Sequence, residues 1–222
     1  ECMIKYKIYV VFLLFLSICA FGFVRASDND LPLLGKVIYI DAGHGGIDPG
    51  AVYKDIHEAD INLKISMSLA NLLEKNGAIV LLTRTGDYDL SVNNAVNRKR
   101  SDLSRRANII NESNGDLYIS IHLNSIASST WKGAQVFYDD INPKNEKIAK
   151  LLQNALKKDL KSSREYKEMN NMYMYKRIKI PGVLVEVGFL SNDNERYLLL
   201  QKTYQDKVAK SLCGGIIEYF HS

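Results

Sequence analysis

Two histidines and two glutamates are the residues in this chain best placed for chemistry. His44 sits in the run Tyr39-Ile40-Asp41-Ala42-Gly43-His44-Gly45-Gly46-Ile47-Asp48-Pro49-Gly50, just past the apolar stretch Val37-Ile38-Tyr39-Ile40. His122 ends the strand-like run Leu117-Tyr118-Ile119-Ser120-Ile121-His122. An imidazole in a loop so poor in side chains leaves room for a phosphate, or for a metal with its substrate. The glycines do not fit a dinucleotide fingerprint: Asp48 holds the third glycine position, and Pro49-Gly50 follows instead of a helix. Glu58 opens a helical pattern, either as a first-turn acid favoured by the helix dipole or as a third ligand. In the second case the set is His2Glu, which suits a catalytic zinc and leaves a position for water. Glu186 lies inside Val183-Leu184-Val185-Glu186-Val187-Gly188-Phe189. A carboxylate in a buried strand is unfavourable unless paired or functional. It is either the partner of an arginine such as Arg84, or a general base beside a metal. His57 precedes the helix and is hard to place, and His221 is expected in solvent.

These residues need a scaffold that brings them together, and the pattern of elements supplies one. Strands are expected at Val37–Asp41, Ala78–Thr83, Leu117–His122, Ala134–Tyr138 and Val183–Val187. Helices are expected at Glu58–Asn76, ended by Gly77, and at Leu103–Asn111, Pro143–Leu160, Asp193–Leu200 and Gln205–Phe220. A polar loop containing Arg98-Lys99-Arg100 precedes Leu103. This alternation argues for a single α/β domain, a mostly parallel twisted sheet with helices on both faces. In such sheets ligands bind beyond the carboxyl ends of the strands, where both His44 and His122 fall. Met172-Tyr173-Met174-Tyr175 reads equally as core strand or groove wall.

The 222 residues are 46% hydrophobic and 24% charged, enough for one domain with a real core. The net charge of +4 falls by 2, to +2, without residues 1–26, which carry Lys5, Lys7, Arg25 and Glu1. That balance argues against a nucleic-acid partner. Residues 1–26 read as a targeting segment: Lys5 and Lys7 precede an apolar stretch of 17 residues, Ile8 to Val24. The stretch is a cleaved signal peptide or, preferred, a retained membrane anchor. Residues 27–35 read as a linker and 36–222 as the catalytic domain. Cys213 is the only cysteine outside the targeting segment, so the domain has no internal disulfide. Its helical spacing with Ala209 and Ile216 reads as a buried small hydrophobe.

Four stretches together carry a family resemblance: Ile40-Asp41-Ala42-Gly43-His44-Gly45-Gly46, the later Glu58, Ile119-Ser120-Ile121-His122-Leu123-Asn124, and Val185-Glu186-Val187-Gly188-Phe189-Leu190-Ser191-Asn192. In order and spacing, from Lys36 to about Phe220, they resemble the zinc-dependent N-acetylmuramoyl-L-alanine amidases of bacterial cell walls. The resemblance implies Zn2+ held by His44, Glu58 and His122, with Glu186 as catalytic acid/base. It implies hydrolysis of the amide joining N-acetylmuramic acid to L-Ala of the peptidoglycan stem peptide. That peptide is acidic, so Arg84, Arg105 or Lys176 are candidates to hold its carboxylates, with Asn124 a further substrate-binding candidate. The short chain with its N-terminal anchor most resembles the sporulation branch, which trims spore-cortex peptidoglycan so that muramic δ-lactam can form. The protein is then expected to be exported to the cell envelope of the spore or forespore. An exported wall hydrolase needs control, so an accessory activator protein of the envelope is an expected partner. A different zinc hydrolase of the wall (peptidase or sugar deacetylase) and a non-catalytic envelope protein with the same fold are the alternatives.

Overall fold

The computed structural model describes residues 31–112, 114–170 and 172–222. The targeting segment read at residues 1–26 lies outside them. No helix among the described residues is long and apolar enough to cross a membrane.

The chain runs through β1 (Val37–Ala42), a small hairpin of β2 (Val52–Tyr53) and β3 (Ile56–His57), and α1 (Glu58–Lys75). Then come β4 (Ile79–Leu82), α2 (Arg98–Asn111), β5 (Leu117–Asn124), β6 (Gln135–Tyr138) and α3 (Asn145–Leu160). The last part holds β7 (Lys167–Glu168), β8 (Gly182–Phe189), α4 (Asp193–Leu199) and α5 (Lys202–Phe220). The sheet has the order β4-β1-β5-β8-β6-β7. Its first four strands are mutually parallel, β6 runs antiparallel to β8, and β7 follows β6. The mostly parallel sheet expected from the sequence is therefore present.

Side chains alternate across a strand, and here the alternation separates core from chemistry. Ile38, Ile40, Ile119, Ile121, Val183, Val185 and Val187 face one way, and Ile61, Ile65 and Leu69 of α1 pack with them in the main core. Tyr39, Tyr118 and Leu184 face the other way, covered by Ala107 and Ile110 of α2 and by Met174, Tyr175 and Ile178. Asp41, Ser120, His122 and Glu186 share this second face by the same two-residue period. The α1 helix ends in a paired turn that aims the chain into β4. Gly77, at φ 94°, donates to the Glu74 carbonyl at 2.9 Å, and Ala78 donates to Leu73 at 3.1 Å.

Some boundaries differ from the sequence reading. The α2 helix starts at Arg98, five residues before Leu103, because the Asn97 side chain accepts the Arg100 N–H at 2.9 Å and caps it. The helices α3 and α5 start at Asn145 and Lys202 rather than at Pro143 and Gln205. Leu33, read as linker, is fully buried in the main core, with its N–H on the Asn76 carbonyl at 2.8 Å. The two-residue strands β2, β3 and β7 are too short to leave a period in sequence.

Candidate active site

The loop after β1 gives His44 an unusual backbone. His44 sits at φ 63°, left-handed and uncommon outside glycine. The chain holds it there through its carbonyls. Arg106, 1% exposed, donates from Nη2 to the His44 carbonyl at 2.7 Å and from Nη1 to the Ala42 carbonyl at 2.8 Å. The same guanidinium pairs with Asp41 and Asp102, each at 2.8 Å. Arg84 donates to the carbonyls of Ala42 and Gly43, both at 2.9 Å, and of Ala59 at 2.8 Å. Asp41 also accepts from Thr83 and Ser120, both at 2.7 Å. Burial alone would raise the Asp41 carboxyl, but Arg106 and these hydroxyls outweigh it and hold the group ionised.

Three side chains converge on one point. Glu58, the first residue of α1, is 3% exposed. Its Oε1 lies 3.3 Å from His44 Nε2 and 3.1 Å from His122 Nδ1. The imidazoles meet edge to face at 5.0 Å. The carboxylate is fixed by N–H donors from Ala51 at 2.8 Å, Leu123 at 3.0 Å and the Asn62 amide at 3.1 Å. Burial would raise the Glu58 carboxyl; hydrogen bonds and charge from His122 and His44 overcome that and hold it far below the usual carboxylate range. For His44, burial works to lower the pKa, and Glu58 and then Asp48 overcome it and raise it. His44 Nδ1 lies 3.0 Å from Asp48 Oδ2, which turns Nε2 toward the cluster.

The donor set fits a metal. One atom from each of His44, Glu58 and His122 lies within 4.8 Å of the others, and two imidazoles with a carboxylate suit zinc. Close packing preserves the cradle. A Cβ on Gly43 would stand 2.2 Å from His122 Cε1, and one on Gly50 would stand 2.6 Å from Glu58 Oε2 and 2.7 Å from His44 Cδ2.

Glu186 is the register partner of His122 across β5 and β8. It lines the same open groove, of about 370 Å³, as His44, Glu58, His122 and Asn124. Burial pushes its carboxyl up to about 7, with Glu58 adding and the two histidines opposing. Its Oε2 is buried with no hydrogen-bond partner among the described residues. A carboxyl so placed can exchange a proton with a molecule in the groove.

The other residues singled out in the sequence fall in several places. Asn124 and Met172–Tyr175 line the groove, while Met174 and Tyr175 also pack in the smaller core. Arg84 is neither a groove residue nor the partner of Glu186: it is 1% exposed and its donors are spent on backbone carbonyls. Arg105 is exposed on α2 and does not line the groove, whereas its neighbour Arg106 does. His57 is exposed at the start of α1, and His221 is exposed at the end of α5. Cys213 is 5% exposed, with burial pushing its thiol up to about 11. The sequence reading missed Arg106, Asp102 and Asp48; the i, i+4 spacing of Asp102 and Arg106 on one helix was the available signal.

Comparison with known proteins places these residues in a context. The family described as N-acetylmuramoyl-L-alanine amidase, amidase 3 type, matches residues 38–218. The germination-specific N-acetylmuramoyl-L-alanine amidase of Bacillus subtilis (strain 168) is 44% identical over 204 residues, 87% of this chain and 86% of that protein. Among solved structures, the CwlD amidase from Clostridioides difficile in complex with the GerS lipoprotein superposes with a TM-score of 0.80. It is 41% identical, with 84% of this chain and 98% of that one covered. The catalytic domain of CwlV, an N-acetylmuramoyl-L-alanine amidase from Bacillus (Paenibacillus) polymyxa, gives a TM-score of 0.74 at 28% identity, covering 84% and 98%.

Proposed function

This chain belongs to the N-acetylmuramoyl-L-alanine amidase family, and we propose that it is a zinc enzyme of the spore cortex that cuts the muramoyl–L-Ala amide. The observation that carries the reading is the convergence of His44, Glu58 and His122 on one point, with Glu186 in the same groove. His44, Glu58 and His122 would hold the metal. Zinc at such a site supplies Lewis-acid polarisation of the amide carbonyl and makes water more acidic. Glu186 takes the proton of the attacking water and returns it to the leaving L-Ala nitrogen. Its raised carboxyl suits both halves of that transfer, being neither too weak a base nor too weak an acid near neutral pH. Arg106, Arg84 and Asp48 do not touch the reacting atoms; they hold the His44 backbone and ring in place.

The cortex role, with muramic δ-lactam formed after the peptide leaves, is supported by the identity to a germination-specific amidase. An accessory envelope protein as activator is supported by the CwlD relative, whose structure is a complex with a lipoprotein. Membrane attachment through residues 1–26 completes the proposal. The test is product analysis. Zinc-loaded protein acting on peptidoglycan is expected to release intact stem peptides with a new L-Ala amino terminus. Release of acetate or of shortened peptides would support a deacetylase or peptidase instead.

A further inference from the structure

Tyr173 lines the groove, and two arginines clamp it. Arg100 Nε donates to the Tyr173 hydroxyl at 3.0 Å, and its guanidinium carbon stands 4.9 Å from the ring centroid. Arg177 lies over the same ring at 3.5 Å and donates from Nη1 to the Tyr173 carbonyl at 2.5 Å. Ser104 Oγ, 2.9 Å from the hydroxyl, fixes the ring further. Among the described residues, the terminal nitrogens of Arg100 and Nε and Nη2 of Arg177 make no hydrogen bond. Lys99, the residue before Arg100, lines the groove, and its Nζ lies 3.8 Å from Asp48.

The acids of this rim are committed elsewhere. Asp102 holds Arg106 and the Leu90 N–H, Asp89 holds Arg98, and Asp48 holds His44 and, at 3.8 Å, Lys99. Among the described residues, neither Arg100 nor Arg177 has a carboxylate within ion-pair distance. Two guanidiniums about one ring repel each other, and attraction to the ring offsets only part of that. The arrangement is complementary to an anion, and a guanidinium fork matches a carboxylate in particular.

We propose that Arg100, Arg177 and Lys99, with Tyr173 as their platform, form a subsite that binds a free carboxylate of the substrate's stem peptide. The inference rests on the amidase reading above. It moves the recognition of the acidic peptide from Arg84, Arg105 and Lys176 to the lip of the groove. The occupant is substrate rather than a partner protein because Tyr173 and Lys99 line the groove that holds His44 and Glu186, and Arg100 and Arg177, which do not line it themselves, both touch the Tyr173 ring.

The experiment uses two muramoyl peptides that differ only in whether the acidic residue after L-Ala carries a free or an amidated carboxylate. Zinc-loaded wild type is expected to favour the free acid about tenfold in kcat/KM, about 1.4 kcal/mol, with the difference in KM. The Arg100→Gln/Arg177→Gln double variant, checked for normal zinc content and melting temperature, is expected to bring that ratio to about one. A wild-type ratio near one would overturn the inference, as would a folded, zinc-loaded double variant that keeps the wild-type ratio. If that variant kept the ratio but lost binding to an acidic accessory protein, the patch would be a docking surface. Cleavage of neither peptide by wild type would sink the amidase reading itself, and the subsite with it.

Discussion

His44 and His122 approach the same oxygen of Glu58, Oε1, at 3.3 and 3.1 Å. An oxygen flanked by two imidazole nitrogens is satisfied by a proton on each ring or by a cation among the three groups. The folded chain therefore presents three donor atoms within 4.8 Å of one another that could hold a cation, and a cation bound there would be coupled to stability.

Zinc should stabilise the protein and a chelator should reverse the effect. At a hundredfold excess over Kd the gain is about 2.7 kcal/mol, which is roughly 5–10 °C in melting temperature for a domain of this size. His122→Ala should abolish the shift and His57→Ala should leave it intact. A zinc-dependent shift that survives His122→Ala would place the metal elsewhere.

Gly43→Ala isolates the cradle from the fold. A Cβ there would meet the His122 ring at 2.2 Å, so the ring must move. The expected loss of stability is about 1–3 kcal/mol, as for an overpacked site. Zinc content should fall far more steeply than the melting temperature does. A variant with full zinc occupancy would show that His122 has freedom the packing denies it.

Arg105 and Arg106 are neighbours with opposite expected behaviour. Arg106→Met leaves Asp41 buried without its cation, which costs about 3–5 kcal/mol. It also frees the His44 carbonyl, so zinc affinity should drop about 10–100-fold, as for lost supports of metal ligands. Arg105→Met, at an exposed position, should stay within about 0.5 kcal/mol. Denaturant titration with a zinc-binding assay on both variants decides the matter, and equal behaviour would refute the assignment.

Cys213 should resist alkylation. Its thiol is pushed up to about 11 by burial, so at pH 8 it stays protonated as well as enclosed. Labelling with iodoacetamide, read by mass spectrometry of the peptide carrying Cys213, should be slow in the native protein and fast in denaturant. Rapid native labelling at pH 8 would mean that the contact between α5 and the rest of the core opens readily.

Much of this architecture was readable in the chain because burial leaves a mark in composition. Val183–Val187 is apolar except at Glu186, and a lone carboxylate there has few explanations. Ile61, Ile65, Leu69 and Leu73 mark the inner face of α1, and Asn76-Gly77 marks its end. Arg98-Lys99-Arg100 hid the start of α2, since a first turn of cations has no apolar period and the Asn97 cap is a single residue. The work of Arg84 and Arg106 was hidden for a different reason. Both serve the backbone of a loop roughly forty to sixty positions away, and a carbonyl has no identity in sequence. The pairing of Arg100 with Tyr173 was hidden in the same way, since the two residues stand 73 positions apart and meet only in the folded chain.

The most direct test of the central claim is the turnover of Glu186→Gln measured on zinc-loaded protein. Gln keeps the size of the side chain and all three metal ligands but cannot accept the proton. The account predicts normal zinc content, an unchanged or higher melting temperature, since the raised carboxyl gains nothing from its charge, and a kcat lower by about 10²–10⁴-fold. A folded, zinc-loaded Glu186→Gln protein that cuts muramoyl peptides at near the wild-type rate would contradict it.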